Sequence, residues 1–415
     1  MDKNLELLEE LERKLSLKQL QIRSLQTITQ AINENIPVDQ LFGMYRSFLN
    51  WEMGISKMAL YTNTDGKWEC VTMINEEDKL DIDYPEIYFS KYKRLHTISE
   101  NDPEILRYFD VIIPVFHKDI PLAYAFLGNI SEKDDIYNKI QFIISITNII
   151  AVAIENKKLF KKQLEQERLK REMKLAREVQ QMLIPETYPD NEKFQLGSIY
   201  KPHLNVGGDY IDYFQFSDSK FAFCIADISG KGVAAAMLMA NFQAIIQSLI
   251  YQYRDLETFI FALNEIVHKR ITKSDKFITF FIGEVDVNKS QLKYINAGHF
   301  PPVLHDKNGI KRLDKGCTVI GAFDKLPSIE EAIVDFDGET MILTFTDGLT
   351  EIKNKQGKFF TDKKIVDFVT KNHNMQVTDF NKKLIKEIDS FKESEEYLDD
   401  IAILTCRILG NDNIA

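Results

Sequence analysis

Apolar positions in the first 33 residues recur at helical spacing. Leu8, Leu15, Ile22 and Thr29 stand seven apart, and Leu11, Lys18, Leu25 and Ile32 form an interleaved set. Together they make an a/d seam of about four heptads, which predicts a helix and suits a two-chain coiled coil. Only Lys18 and Thr29 interrupt it. The competing reading is an amphipathic helix packed on its own domain. The pattern then shortens. Residues 38–50 read as a helix, 57–61 and 68–73 as strands around the turn Asn63-Thr64-Asp65-Gly66, and 111–116 and 122–129 as a second pair around His117-Lys118-Asp119. A helix is expected from about residue 137 into the 160s. Antiparallel strand pairs bracketed by helices imply an α+β domain.

A second helical stretch, residues 155–184, places Leu169, Met173, Ala176, Gln180 and Leu183 at a/d spacing before Pro185, which ends it. Its dense charge marks a solvated linker. From Phe194 onward short apolar runs of strand length (FAFCIAD, ITFFIGEVD, QLKYINAG, TMILTFTDG and IAILTCRI) accompany two segments of helical length, VAAAMLMANFQAIIQSLIYQY and DLETFIFALNEIVHKRI. There is no internal repeat.

The 415 residues suggest two or three domains. With 44% hydrophobic and 28% charged residues the composition is that of an ordinary globular chain. Lys and Arg total 52 against 63 Asp and Glu, a net charge of −11, which argues against a general nucleic-acid binder. The start, MDKNLELLEELERK, lacks an apolar h-region, so no secretory signal is expected. The most apolar run, 142–154, is shorter than the roughly 20 residues that a bilayer requires and carries Thr147 and Asn148. Cys70, Cys224, Cys317 and Cys406 lie far apart with no CxxC pair. We expect reduced thiols in a cytoplasmic protein rather than a disulfide frame or a zinc site.

Aspartates recur where apolar strands begin or end. Asp227 follows FAFCIA, Asp347 follows MILTFT, Asp399 and Asp400 precede IAILTC, and Asp209 closes Gly207-Gly208-Asp209. Carboxylates at strand ends are held rigidly. Several of them cannot ionise together without a cation, because like charges raise each other's pKa. An all-oxygen set of this kind suits Mg²⁺ or Mn²⁺. Each fragment alone is ordinary: TDG is usually a turn and DD a solvated edge. The ordered set GGDY, ADISGKG, NAGH, FTDG and DDIAIL within about 195 residues is far more specific.

That set resembles the PPM-type (type 2C) serine/threonine protein phosphatases. The nearer likeness is to the bacterial branch that controls sporulation and stress sigma factors by partner switching. AREVQQMLIP, VGGDYIDYF, ADISGKGVAAAMLMA, TFFIGEVD, YINAGHFPPVL, GETMILTFTDGLTE and DDIAIL carry it, over about 176–407. The resemblance implies an αββα sandwich, with Asp227 bridging two Mn²⁺ or Mg²⁺ ions and the Ile228 carbonyl serving one of them. Asp347 and Asp399, with Asp400 as the neighbouring alternative, would hold the other. Asp209 would bind the second ion directly or through water. It implies attack of a metal-bridged hydroxide on phosphoserine or phosphothreonine of a regulatory protein, typically an anti-sigma-factor antagonist, with no phosphoenzyme. The chain departs from the family in three places. Ser229 stands where eukaryotic relatives have a histidine that is a candidate general acid. Ala402 replaces the threonine of DDxT, and Phe300 follows NAGH. The donor of the leaving-group proton is therefore open.

Residues 20–160 resemble a GAF sensor domain, on LQTITQAINENIPVDQLF, KMALYTNTDGKWECVTM, VIIPVFHKDIPLAYAFLGN and FIISITNIIAVAIENKKLF. Such domains bind cyclic nucleotides, haem, bilins or nothing. Cys70, His96 and His117 are candidate ligand contacts, against the plainer reading of a core thiol and two surface histidines. The expected organisation is a coiled-coil helix over 1–25, a GAF-like α/β sensor over 26–157, a helical coiled-coil linker and switch over 158–185, and the phosphatase domain over 186–410. A homodimer through the helices, a phosphoprotein substrate and an unidentified small-molecule or protein signal at the sensor complete the reading. Gly230-Lys231-Gly232 is not a P-loop: Ile225 stands where its first glycine belongs, and no Ser or Thr follows Lys231. His299 is expected to buttress a turn. Two rivals are a catalytically silent dimeric scaffold and a phosphatase with an Asp nucleophile. The second of these needs an early DxD that ADIS lacks.

Overall fold

A computed structural model describes residues 2–64, 66–80, 82, 85–130, 136–203, 206–271, 276–395 and 397–409. Asp65 of the first predicted turn lies outside them. The chain divides into two compact units, Met1–Glu167 and Arg168–Ala415.

The first unit comprises α1 (Asp2–Asn33), α2 (Val38–Ser47), β1 (Lys57–Thr64), β2 (Lys67–Met73), the short α3 (Pro85–Phe89), β3 (His96–Thr97), β4 (Val111–His117), β5 (Ile120–Gly128) and the N-terminal part of α4 (Ile136–Gln181). The strands form one antiparallel sheet in the order β2-β1-β5-β4-β3. Strand side chains alternate between faces, and the two faces have separate cores. Met58, Leu60, Ile113, Val115, Ala125 and Leu127 pack with helical residues Ile28, Tyr45, Ile146 and Ile150. Ala59, Tyr61, Ile112, Tyr124 and Phe126 pack instead with Phe89, Tyr92 and Phe109.

The buried stripe of α1 is offset from the seam: Gln21, Ser24, Ile28 and Ala31 are buried within the unit, whereas the seam residues Leu8, Leu11, Leu15 and Ile22 are exposed and Leu25 and Ile32 are partly buried. The two helical stretches expected at 137 to the 160s and at 155–184 are one helix, α4, with no Gly or Pro along its 46 residues. It ends at Gln181, short of Pro185, and the N–H groups of Leu183 and Ile184 turn back to the carbonyls of Gln180 and Gln181. A segment of α4 is apolar enough by length and composition to cross a membrane, with mean hydropathy 1.3. The core of the first unit accounts for that composition: Ile143, Ile146, Ile150 and Ile154 are buried at helical spacing. Beside them Thr147 and Tyr45 share a buried hydroxyl–hydroxyl bond of 2.6 Å.

The second unit holds β6 (Phe194–Lys201), β7 (Tyr210–Gln215), β8 (Lys220–Ile228), α5 (Val233–Leu249), α6 (Leu256–Ile271), β9 (Ile278–Asp286), β10 (Gln291–Ala297), β11 (Val303–Asp306), β12 (Gly309–Arg312), β13 (Gly316–Cys317), β14 (Ala332–Asp335), β15 (Thr340–Phe345), α7 (Asp362–Asn372), α8 (Val377–Lys392) and β16 (Ile401–Ile408). One sheet runs β13-β10-β9-β8-β7, with β14 on β10; the other runs β12-β11-β15-β16-β6. Three cores stack through the unit. Phe221, Phe223, Ile225 and Phe281 of the first sheet meet Leu196, Ile342, Leu404 and Cys406 of the second. The outer side of the first sheet (Ala222, Cys224, Ala226, Phe280, Ile282) packs on α5 and α6 through Met239, Phe242, Ile260 and Leu263. The outer side of the second (Val303, Leu343, Phe345, Ile401, Ile403) packs on α7 and α8 through Ile365, Val369, Phe380 and Leu384. This is the expected αββα arrangement. Strands covered on both faces read as continuous apolar runs, which is why FAFCIA, MILTF and IAILTC stand out in the sequence.

Candidate active site

In each sheet an antiparallel strand pair delivers its acids to one end. Asp227 is the penultimate residue of β8, and Asp209 immediately precedes β7, whose Tyr210 pairs with Ala226. In the other sheet Asp347 begins the turn after β15, while Asp399 and Asp400 lead into β16, whose Ile403 pairs with Phe345. Hydrogen bonds join the two ends. Thr346 Oγ1 donates to Asp209 Oδ2 at 2.8 Å. Asp400 accepts from the backbone N–H of Gly208 at 2.8 Å through Oδ2 and from that of His203 at 2.8 Å through Oδ1. Gly208 also lies against the Ile228 carbonyl, where a Cβ would stand 2.7 Å from the oxygen. Only glycine lets the backbone approach this closely.

Burial and mutual repulsion act in one direction here. Asp209 is buried, and burial followed by the charges of Asp227 and Asp400 raises its pKa well above the usual range. Burial, then the charges of Asp347, Asp399 and Asp400, push Asp227 up to about 7. Burial, then Glu351 and Asp399, raise Asp347. Asp400 is raised chiefly by burial, against its two backbone donors. Among the described residues no three His, Cys, Asp or Glu side chains form a ready-made ligand cage. The acids have other partners: Lys231 Nζ is 2.8 Å from Asp399 Oδ2, and Thr346 and the backbone engage Asp209 and Asp400. The donor set is nevertheless all carboxylate oxygen, fully or partly buried and crowded with like charge, which fits hard divalent cations.

The structure separates the two neighbouring acids that the sequence leaves equivalent. Both oxygens of Asp400 are spent on backbone N–H groups. Asp399 uses Oδ1 on the N–H of Asp400 at 2.9 Å and turns Oδ2 to the side chain of Lys231. Ser229 is tied to Phe277, accepting its N–H at 2.9 Å through Oγ and donating its own N–H to the Phe277 carbonyl. His299 is buried; its backbone N–H donates to Asn296 Oδ1 at 2.7 Å, and its ring Nδ1 lies 2.9 Å from Thr279 Oγ1. Burial lowers its pKa to about 4, so the ring is neutral near pH 7. That suits the expected buttress.

Three contacts were not legible in the motifs. Gln180, placed by spacing in a helical seam, uses its amide on both backbone groups of Gly207: Nε2 donates to the carbonyl at 2.6 Å, and Oε1 accepts the N–H at 3.1 Å. Thr346 bridges the sheets, and Lys231 engages Asp399. In the first unit Cys70 is half-buried, with its thiol pushed up by burial. His96 is held by Asp102 at 2.9 Å, and His117 is exposed at the end of β4.

Residues 217–409 match the family described as Stage II sporulation protein E (SpoIIE). Asp227, Asp347, Asp399 and Asp400 fall inside that span, and Asp209 precedes it. Over 228 residues the chain is 27% identical to Protein IcfG of Synechocystis sp., covering 48% of this chain and 36% of IcfG. Over 226 residues it is 26% identical to the phosphoserine phosphatase RsbU of Bacillus subtilis, covering 54% and 66%. The chain thus spans about a third to two thirds of the length of these curated relatives. The solved SiaA-PP2C domain of Pseudomonas aeruginosa is similar in fold, with a TM-score of 0.53 at 18% identity, covering 59% of this chain and 98% of that domain. The strand-end acids, the four-layer sandwich and these matches lead to one conclusion: residues 217–409 match the SpoIIE family, and the second unit has the fold of a PP2C phosphatase domain.

Proposed function

We propose that this chain is a metal-dependent serine/threonine protein phosphatase controlled by its N-terminal unit. The observation that carries this reading is the convergence of strand-end carboxylates from both sheets, tied together by Thr346 and Asp400. Asp227 would contact both of two Mg²⁺ or Mn²⁺ ions, and the Ile228 carbonyl would serve one. Asp347 and Asp399 would hold the other, and Asp209 would bind the second directly or through water. Asp400 positions the Gly208 backbone rather than facing an ion. When bound, the ions supply Lewis acidity that activates a water and offsets phosphoryl charge. The chain's own part is to hold these oxygens on strand ends, where the ladders limit their movement. The reaction would be hydrolysis of phosphoserine or phosphothreonine, the chemistry in the name of RsbU. The substrate proposed is a phosphorylated cytoplasmic regulator of the anti-sigma-factor-antagonist class.

The test is hydrolysis of a phosphoserine peptide by the full chain, with chelator and after adding back Mn²⁺ or Mg²⁺. Activity should vanish and return. Full turnover after exhaustive metal removal would refute the reading. A properly folded chain inert with every divalent cation would favour the silent scaffold.

We read the first unit as a GAF-like sensor, on its five-stranded antiparallel sheet with helices over one face. The other face is filled by Tyr61, Phe89, Tyr124 and Phe126, which pack edge-on or tilted. The exposed Leu8, Leu11, Leu15 and Ile22 of α1 suit a homodimer through paired helices. Control would run along α4, whose unbroken backbone transmits rotation better than a flexible tether. Its last turn carries Gln180, bonded to Gly207 two residues before Asp209. Removing residues 1–16 leaves the buried Gln21, Ser24, Ile28 and Ala31 in place and should lower the sedimenting mass towards one chain. Inserting two Gly residues near Glu167, or substituting Val179, Met182 or Leu183, should alter activity or metal affinity without touching a ligand. Unchanged mass and unchanged kinetics would make the helices passive.

A further inference from the structure

Lys231 has no part in the reading above, yet it holds one of the acids. It stands in the Ser229-Gly230-Lys231-Gly232 loop between β8 and α5. Its Nζ is 2.8 Å from Asp399 Oδ2 and donates to the Leu398 carbonyl at 2.9 Å. With Asp400 N–H on Oδ1, both oxygens of Asp399 are engaged. Asp209, Asp227 and Asp347 have no ion pair among the described residues. The lysine side chain is 51% exposed and that of Asp399 27%, so the pair opens to solvent on one side.

We infer that Lys231 is the exchangeable counter-ion of Asp399, holding that carboxylate whenever a divalent cation does not, and that it thereby lowers the metal affinity of the site. The inference rests on the proposed metal site and adds a residue that tunes its occupancy. Two effects act with the same sign. A dication must displace the ammonium to reach Asp399 Oδ2. Once displaced, the ammonium remains on a short loop and repels the dication. A pair this exposed is worth little in water, so the expected change is modest, about 3–10-fold in affinity.

Lys276 supplies the control for general charge. Its Nζ lies over Gly230, beside the same loop, and it has no carboxylate partner among the described residues. The experiment uses the full chain, stripped with chelator, dialysed and titrated with Mn²⁺ while free Mn²⁺ is followed by electron paramagnetic resonance. Lys231→Met should bind Mn²⁺ about 3–10-fold more tightly than the wild type, Lys231→Arg close to the wild type, and Lys276→Met with less than about a twofold gain. Thermal melting checks that each variant is folded; Lys231 is exposed enough for methionine to be accommodated. Affinity unchanged or weakened in Lys231→Met overturns the inference while leaving the metal site standing. Equal gains in Lys231→Met and Lys276→Met overturn it too, because the effect would then be unspecific charge. No Mn²⁺ binding by the wild type or any variant overturns the metal reading, and the inference with it.

Discussion

Asp227→Asn is expected to lower turnover of a phosphoserine peptide by about 10²–10⁴-fold while leaving the fold intact. Asp227 stands in the ladder opposite Thr279 of β9, so its backbone is fixed whatever its side chain. Burial and the surrounding acids push its carboxyl up to about 7, the direction expected where like charges crowd a site that suits a cation. An amide of the same shape would be a poor ligand for both proposed ions. The loss of several kcal/mol of charge stabilisation translates at about 1.4 kcal/mol per decade into the stated range. The same change removes like-charge repulsion, so the metal-free variant should melt at or above the temperature of the metal-free wild type. Both quantities are measurable on one preparation, by kinetics with Mn²⁺ and by thermal denaturation in chelator. Turnover within tenfold of wild type would break the ligand assignment, and a collapse of the melting temperature would make Asp227 a structural residue instead.

Gly348→Ala should have the largest effect on stability. A Cβ at Gly348 would run into the backbone carbonyl oxygen of Asp400 and stand 2.9 Å from its carbonyl carbon and 3.5 Å from that of Asp399. Nothing there is the end of a flexible side chain. Relief requires the turn after β15 to part from the start of β16, where the ladder continues as the bond from Thr346 N–H to the Ala402 carbonyl. Overpacking of this kind costs about 3 kcal/mol. Since those two segments carry Asp347 and Asp399, activity should fall together with stability. Urea unfolding followed by a probe in the second unit measures the loss. A midpoint equal to that of the wild type would show that the two segments do not approach as described.

The acids at the strand ends of the second unit were legible because they are a local property, while its layers were expected from the family resemblance. A strand covered on two faces is a continuous apolar run, so β8, β15 and β16 were marked by composition alone, and Asp227, Asp347, Asp399 and Asp400 were marked by where those runs stop or start. Helical period likewise identified α1 and both halves of α4. Period does not say what a face meets. The stripe of α1 that the first unit buries, with Ile28 and Ala31, is offset from the predicted seam, whose Leu8, Leu11, Leu15 and Ile22 are exposed. Nor did spacing show that Gln180 is a partner of the Gly207 backbone, since 27 residues separate them.

The sequence by itself determined five strands and two helices of the second unit and an all-oxygen set of acids, because each follows from hydrophobic period, strand length and the chemistry of one side chain; the αββα class was implied by the family resemblance. Only the tertiary structure decided that Asp400 serves the backbone of Gly208 and His203 while Asp399 faces Lys231, and that Thr346 links the two sheets through Asp209. Those pairings join residues 137 to 197 positions apart. They depend on the direction and distance of single hydrogen bonds, which no local pattern encodes until both sheets are packed face to face.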